Sequence, residues 1–187
     1  MEDFLIDIVH GEVTIARTLN IPLQPFTLIG ATTRAGLLSA PLRDRFQIRQ
    51  HLDFYSDEEL TEIVHRSAAK LLVQIEPAAA DEIARRSRGT PRVANNLLRW
   101  VRDYSTSKAD GRITRDITLD AMEMDGVDHL GLDRQDRKYL DTIINIYAGG
   151  PVGIEAIAHT LNASTDTLVD EVEPFLLRIG LVTRTTR

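Results

Sequence analysis

The chain has 187 residues, a hydrophobic fraction of 43% and a net charge of −6. This size allows one to three domains with apolar cores, and the acidic balance excludes a protein coated in basic surface for nucleic acid, so any DNA contact must be local. The absence of cysteine excludes disulfides and thiolate metal sites. The sequence has no ~20-residue apolar run for a membrane span and no signal-peptide pattern, so we expect a cytoplasmic protein. Its histidines are scattered without ligand spacing, so we expect no bound transition metal.

The chain opens with two β-prone runs, residues 4–10 and 14–21, separated by Gly11 and Glu12. This arrangement predicts a β-hairpin. Its apolar residues do not alternate cleanly, so some of them could lie outside any core. The first run contains Leu5, Ile6, Ile8 and Val9.

Residues 26–29, with the sequence FTLI, are typical of a fully buried strand of an α/β sheet. Ligands of such sheets bind in the crevice beyond the carboxyl ends of the strands. Thr32, Thr33 and Arg34 follow this strand and would offer hydroxyls and a guanidinium to that crevice.

A short helical turn is predicted next, with Pro41 at its first position. It carries Arg43 and Arg45 on either side of Asp44. Hydroxyls followed by arginines suit phosphoryl transfer, because they orient water and phosphate and neutralise developing charge. The two arginines lie about 200° apart around a helix, so both cannot point at one phosphate.

A P-loop is missing from the sequence. That loop ends in Gly-Lys-Ser/Thr, whereas the lysines here follow Ala69, Ser107 and Arg137. The run FLID at residues 4–7 resembles a Walker B strand, but Ile8 stands where the catalytic acid belongs. We therefore expect that the chain alone does not hydrolyse ATP.

Four helices are predicted between residues 55 and 126, as a small bundle. They cover residues 56–73, 77–88, 91–105 and 115–124. Ser56 and Glu59 form a capping-box pattern at the first of them.

Arg92 has an unfavourable position for an ordinary surface arginine. Gly89 ends one helix, Thr90 can cap the next, and Pro91 takes its first position. Arg92 then lies in the first turn, where the helix dipole disfavours a cation and free amides favour an anion. Pro91 and Arg92 therefore mark a position that favours an anion, and the presence of Arg92 needs a reason other than helix stability.

The pattern of residues 130–187 predicts a winged helix. Its helices are predicted at 134–147, 154–161 and 165–179, with a short strand within 149–153 and a wing strand at 181–184. The third helix carries acids at 166, 170, 171 and 173, which a DNA duplex would repel. We therefore predict sequence-independent DNA contact through Arg184, Arg187 and Arg178. The alternative is a winged helix that contacts only proteins.

Three motifs in combination, GATTRAGLLSAPLRDRF at 30–46, GTPRVANNLLR at 89–99 and GGPVG at 149–153, resemble the RuvB family of AAA+ ATPases, which drive branch migration of Holliday junctions. The resemblance implies the carboxyl-terminal part of such a motor: an α/β AAA+ remnant at residues 1–54, an all-α lid bundle at 55–128 and a winged-helix domain at 129–187.

The resemblance also implies roles for individual residues. Thr33 takes the place of sensor 1, with Thr32 and Arg34 as second choices. Arg45 is the arginine finger that acts on a neighbouring subunit's ATP, and Arg92 is sensor 2. The alternatives are a threonine that caps a turn and a surface arginine paired with an acid.

Cofactors and partners follow from the same resemblance. They are ATP or ADP, with Mg²⁺ in the complete motor, DNA, a hexameric ring of like subunits, and a RuvA-like junction-binding protein. The last would dock on the hairpin through Leu5, Ile6, Ile8, Val9 and Ile15. The rival hypotheses are a non-catalytic winged-helix adaptor and a part of another AAA+ machine, such as a clamp loader.

Overall fold

The computed structural model describes the backbone of residues 5–10, 17–32 and 34–185, and the side chains of this set from residue 21 onward. The chain divides into two compact units, residues 1–51 and residues 52–187. Each unit is described by itself.

The first unit contains an antiparallel hairpin of strands β1 (Leu5–His10) and β2 (Arg17–Pro22). Leu5 pairs with Pro22 and His10 with Arg17. The hairpin predicted from the sequence is confirmed at the level of the backbone. A two-stranded hairpin is only marginally stable without further packing.

The strand predicted at residues 26–29 is not formed, so this prediction is wrong for the chain as it stands. The segment has no regular secondary structure, and Phe26, Leu28 and Ile29 are 46%, 48% and 88% exposed. A buried strand needs hydrogen-bonded neighbours on both sides and layers above and below. The described part of the first unit supplies neither.

A 3₁₀ turn (Ala35–Leu37) and the short helix α1 (Ala40–Asp44) complete the first unit. The helix begins one residue earlier than predicted, so Pro41 occupies its second position. Arg45 forms its carboxyl-terminal cap.

The second unit begins with a four-helix bundle. Its helices are α2 (Asp57–Lys70), α3 (Pro77–Arg85), α4 (Pro91–Lys108) and α5 (Arg115–Asp125). All four contribute to one apolar core, which includes Leu60, Val64, Ile83, Leu98, Val101 and Met122, each fully buried. The predicted lid bundle is confirmed as a helical bundle.

Local signals fix where these helices begin and end. The Ser56 hydroxyl accepts from the Glu59 amide, and the Glu59 carboxylate accepts from the Ser56 amide, which completes the predicted capping box. The Thr114 hydroxyl caps α5 by accepting from the Ile117 amide, and Gly126 ends the helix in the left-handed conformation, with φ of +80°.

A second helical cluster follows. It consists of α6 (Arg134–Asp141), which continues as a π-helical turn (Thr142–Ile146), α7 (Ile154–Leu161), α8 (Thr165–Thr167), a second π-helical turn (Leu168–Val172) and α9 (Glu173–Arg178). Its core contains Tyr139, Ile157, Leu168, Val172 and Leu176. These are the three helices that the sequence predicts for a winged helix.

Two details differ from the prediction. The described residues in 149–153 and 181–185 form no strand, because neither segment has a strand partner here. The third helix is interrupted by the π-helical turn, which ends two residues before Pro174. Proline lacks the amide that would continue the regular hydrogen-bond ladder, which accounts for the change in winding.

No helix in the described part of the chain is long and apolar enough to cross a membrane.

Candidate functional site

In the predicted sensor 1 region, the Thr32 hydroxyl oxygen accepts a hydrogen bond of 3.0 Å from the backbone amide of Arg34. Thr33 lies outside the described residues. Arg34 is exposed and opens the 3₁₀ turn, since its carbonyl accepts from the Leu37 amide at 3.0 Å. Thr33 as sensor 1 stays a prediction.

Arg45 stands at the end of α1 with its side chain exposed. Asp44 forms its ion pair with Arg49, at 3.3 Å between Asp44 Oδ1 and Arg49 Nη2, and not with Arg45. Among the described residues, neither Arg43 nor Arg45 has a side-chain hydrogen bond or an ion pair. Both guanidinium groups therefore remain available to an external anion.

Arg92 is the second residue of α4, the longest helix described, and its side chain is exposed. No described acid pairs with it. The capping role predicted for Thr90 is wrong: its hydroxyl donates to the carbonyl of Arg88 at 3.1 Å, and it makes no cap hydrogen bond. Among the described residues, no side chain bonds to the first-turn amides of α4, and open amides beside a cation are an arrangement that suits phosphate.

Arg88, which the sequence did not single out, joins the two halves of the second unit. Its Nη2 lies 3.0 Å from Asp133 Oδ2 and 2.5 Å from Asp136 Oδ2, and its Nε donates to the Gly131 carbonyl at 3.0 Å. Asp136 is almost fully buried, and this desolvation raises its pKa in spite of the cation beside it. No local pattern reveals Arg88, because its partners lie more than forty residues further along the chain.

Arg178 was predicted to contact DNA, and the structure shows its guanidinium stacked on aromatic rings. Its central carbon lies 4.0 Å from the ring centre of Phe54 and 5.3 Å from that of Phe175. Partial desolvation lowers its pKa. One face of this cation is thus occupied by the protein itself.

Arg184 lies in the segment after α9 with a largely exposed side chain. Its Nη2 is 2.6 Å from Glu173 Oε2. The other carboxylate oxygen of Glu173 accepts from the Tyr139 hydroxyl at 2.8 Å, and burial together with this acid raises the pKa of Tyr139. A DNA phosphate would therefore compete with Glu173 for Arg184. Arg187 lies outside the described residues.

The remaining predicted positions belong to the hairpin. Leu5, Ile6, Ile8 and Val9 are residues of β1, and Ile15 lies outside the described residues. Docking of a partner on this hairpin stays a prediction. Within the described part of the chain, no group of histidines, aspartates and glutamates could hold a metal ion.

Much of the arginine in this acidic chain is used internally. Only three of its 22 basic residues are lysine. The buried Glu82 carboxylate receives Arg85 at 2.8 Å, Arg86 at 3.2 Å and Arg115 at 3.1 Å. The planar guanidinium suits such shared contacts, so arginine abundance by itself does not indicate nucleic-acid binding here.

Comparison with known families gives three matches. A model described as the Holliday junction DNA helicase RuvB P-loop domain matches residues 1–52, the RuvB AAA lid domain matches residues 55–128, and the RuvB C-terminal winged helix domain matches residues 129–187. The Holliday junction branch migration complex subunit RuvB of Rhodopirellula baltica is 62% identical over 187 residues, which is 100% of this chain and 51% of that protein. The chain thus spans about half the length of this curated relative.

Solved structures show the same likeness. The RuvB Holliday junction branch migration motor of Thermotoga maritima is 56% identical with a TM-score of 0.81, over 88% of this chain and 55% of that one. A variant of the same protein with one proline replaced by glycine is 53% identical with a TM-score of 0.85, over 99% and 58% of the two chains.

Proposed function

This chain belongs to the RuvB family, and on that basis we propose that it supplies the ATP-responding arginines and the DNA-contacting winged helix of a motor that drives branch migration of Holliday junctions. We place the limits of its three parts at residues 1–54, 55–128 and 129–187. Since such a motor acts on chromosomal DNA, we expect it to work in the cytoplasm.

The observation that supports this proposal best is the state of two arginines. Arg45 and Arg92 are exposed, and neither has an ionic partner among the described residues, whereas several other arginines of the chain are paired with acids. An arginine left unpaired at an open helix amino terminus or at a helix end fits a phosphate ligand. ATP and ADP are the nucleotides that the family implies.

The two arginines have different tasks in this proposal. Arg92 would contact the nucleotide of its own subunit and report its phosphates to the lid. Arg45 would approach the γ-phosphate bound by the next subunit of a hexameric ring and stabilise charge that develops during transfer, together with Thr33. A finger of this kind accelerates hydrolysis by roughly 10³–10⁵. Mg²⁺ would be held with the ATP by residues other than those described.

DNA and a junction-binding protein complete the proposed assembly. Arg184 and Arg187, with Arg178 as a weaker candidate because of its stacking on Phe54, would contact phosphates without reading sequence. Arg184→Ala should remove one phosphate contact. The slope of the logarithm of DNA affinity against the logarithm of salt concentration should then fall by about one unit. A RuvA-like protein would bind the hairpin through Leu5, Ile6, Ile8, Val9 and Ile15.

Complementation of ATP hydrolysis tests the proposal. The chain is mixed with full-length RuvB-type subunits whose own finger arginine is alanine, in the presence of a four-way DNA junction. We expect hydrolysis to be restored by the parent chain and lost again with Arg45→Ala.

Arg43→Ala is the matched control, because Arg43 is equally exposed and unpaired and lies only two residues away. If hydrolysis is still restored by Arg45→Ala but not by Arg43→Ala, the finger is Arg43, and our assignment of Arg45 is wrong. If the parent chain binds the ring and restores nothing, the proposed motor role is contradicted.

A further inference from the structure

The loop that leads into α4, residues 88–92, is held from two sides. On one side, the Gly89 carbonyl accepts from the Tyr55 amide at 3.0 Å, and the Phe54 side chain lies against Gly89. On the other side are Arg178 and the acids of α6. The loop is therefore enclosed by the segment before α2 and by the carboxyl-terminal helices.

Arg88 makes the first connection to those helices. It adopts a left-handed conformation, with φ of +54°, which is uncommon for a residue with a side chain. This conformation is compatible with the contacts of its guanidinium to Asp133 and Asp136 at the start of α6. Its central carbon also lies 4.7 Å from the ring centre of Phe175 in α9. One side chain thus contacts two helices of the winged-helix segment.

Arg178 makes the second connection, which runs from the carboxyl-terminal helices to the loop. It belongs to α9, and its guanidinium covers the ring of Phe54. A Cβ placed on Gly89 would lie 2.5 Å from Arg178 Nη1 and 2.8 Å from the Cβ of Phe54. Glycine with φ of +66° is thus the residue that lets the loop pass between these two side chains.

The loop itself is short. Pro91 restricts the backbone between the Arg88 contacts and Arg92, which is only four residues further. A movement of Arg92 should therefore also move Arg88 and Gly89, because few backbone angles between them can change. Buried pairs such as Arg88 with Asp136 favour a single arrangement over alternatives, because breaking them leaves an uncompensated charge.

We propose that Arg88 and Arg178 are positioning residues that couple the loop 88–92 to the winged-helix segment, so that both move as one body. The coupling is a property of the fold; its use in transmitting nucleotide state to the DNA-contacting segment rests on the proposed role of Arg92. Neither arginine needs to contact nucleotide for this purpose.

A distance measurement between two spin labels tests the coupling. The chain has no cysteine, so Ser107→Cys in α4 and Glu155→Cys in α7, both exposed positions, place one label on each side of the junction in the full chain. Pulsed electron paramagnetic resonance then gives the distribution of distances. We expect one narrow distribution for the parent, and at least about a doubling of its width in Arg178→Ala.

Variants distinguish coupling from stability. Phe54→Leu keeps every charge and removes only the aromatic face, so it should broaden the distribution as Arg178→Ala does, and the double variant should add nothing further. Arg88→Met combined with Asp136→Asn removes the buried pair without leaving a buried unpaired charge, because Asp133, the other partner of Arg88, is half-exposed. This double variant should also broaden the distribution. Arg99→Ala is the control, because Arg99 bonds to no described residue except Asn96 on its own helix.

The samples are compared only where far-ultraviolet circular dichroism equals that of the parent. Parent-like widths in both Arg178→Ala and Phe54→Leu would overturn the proposal, and so would equal broadening in Arg99→Ala. The measurement uses neither nucleotide nor DNA. Failure of the motor proposal would therefore leave its result intact, and failure here would leave the complementation result intact.

Discussion

Ile29 and Leu98 belong to two apolar segments of the same chain, yet Ile29 is 88% exposed and Leu98 is fully buried. Leu98 lies on a helix whose partners α2, α3 and α5 are close in sequence and close the core around it. Ile29 belongs to a segment suited to a parallel sheet, whose neighbours come from distant parts of a chain. The comparison shows that the second unit closes its core with local contacts, whereas the described part of the first unit gives residues 26–29 no strand partner.

The largest expected difference between the two regions concerns their apolar side chains. Leu98→Ala should lower the free energy of unfolding by about 2–5 kcal/mol, because it removes buried methyl groups and leaves a cavity. Ile29→Ala should change it by less than about 0.5 kcal/mol, because that side chain is already in water. Urea denaturation followed by circular dichroism measures both. Equal losses would show that residues 26–29 are packed after all.

Two glycines sharpen the comparison. Gly89→Ala should destabilise the fold by about 1–3 kcal/mol, because position 89 has a positive φ and a new methyl would meet Phe54 and Arg178. Gly36→Ala, in the 3₁₀ turn of the first unit, meets no atom within 4 Å and should have little effect. Thermal unfolding of the two variants measures both effects. If Gly89→Ala did not change the stability, the loop would accommodate the added methyl group without strain.

Helix caps give a smaller difference. Ser56→Ala should cost about 1 kcal/mol of unfolding free energy, because it breaks the capping box of α2. Ser39→Ala is the counterpart in the first unit; Ser39 precedes α1 and its side chain makes no cap bond, so no loss is expected. Denaturant midpoints measure both effects. If the two variants lost the same stability, Ser56 would cap its helix no better than Ser39 does.

The smallest effect is a pH dependence that arises from Asp136. Its pKa in the folded chain is raised above the ordinary 3.8, chiefly by burial, so the native state binds this proton more tightly than the unfolded state. Its contribution to stability is fully present below that ordinary value and declines as pH rises through the raised pKa.

The unfolding free energy of the parent relative to Asp136→Asn should therefore fall as the pH rises from below 3.8 through the raised pKa of Asp136. Parallel urea titrations across this range measure the difference. A rise instead would mean that attraction to Arg88 outweighs the cost of burial.

Local chemistry explains which predictions from the sequence hold. Ser56, Pro77 and Thr114 mark helix starts through bonds or backbone angles within a few residues, and the helices begin where these residues predict. The strand at 26–29 and the wing strand were wrong because a strand exists only with a partner. No rule of spacing supplies that partner.

The site residues show the same division. The first-turn position of Arg92 follows from Pro91 and is found in the structure. The stacking of Arg178 on Phe54 and the contact of Arg88 with Asp136 join residues far apart in the chain. Sequence spacing cannot show which arginines the fold itself uses, so the separation of paired from unpaired arginines required the structure.

Hydrogen exchange of backbone amides in the isolated chain tests this account most directly. We predict slow exchange for the amides of Leu60, Leu98 and Leu176, which lie in the helical cores, and exchange close to that of an unfolded peptide for residues 27–29. Protection of residues 27–29 equal to that of Leu98 would contradict the claim that this segment lacks strand partners in the described chain.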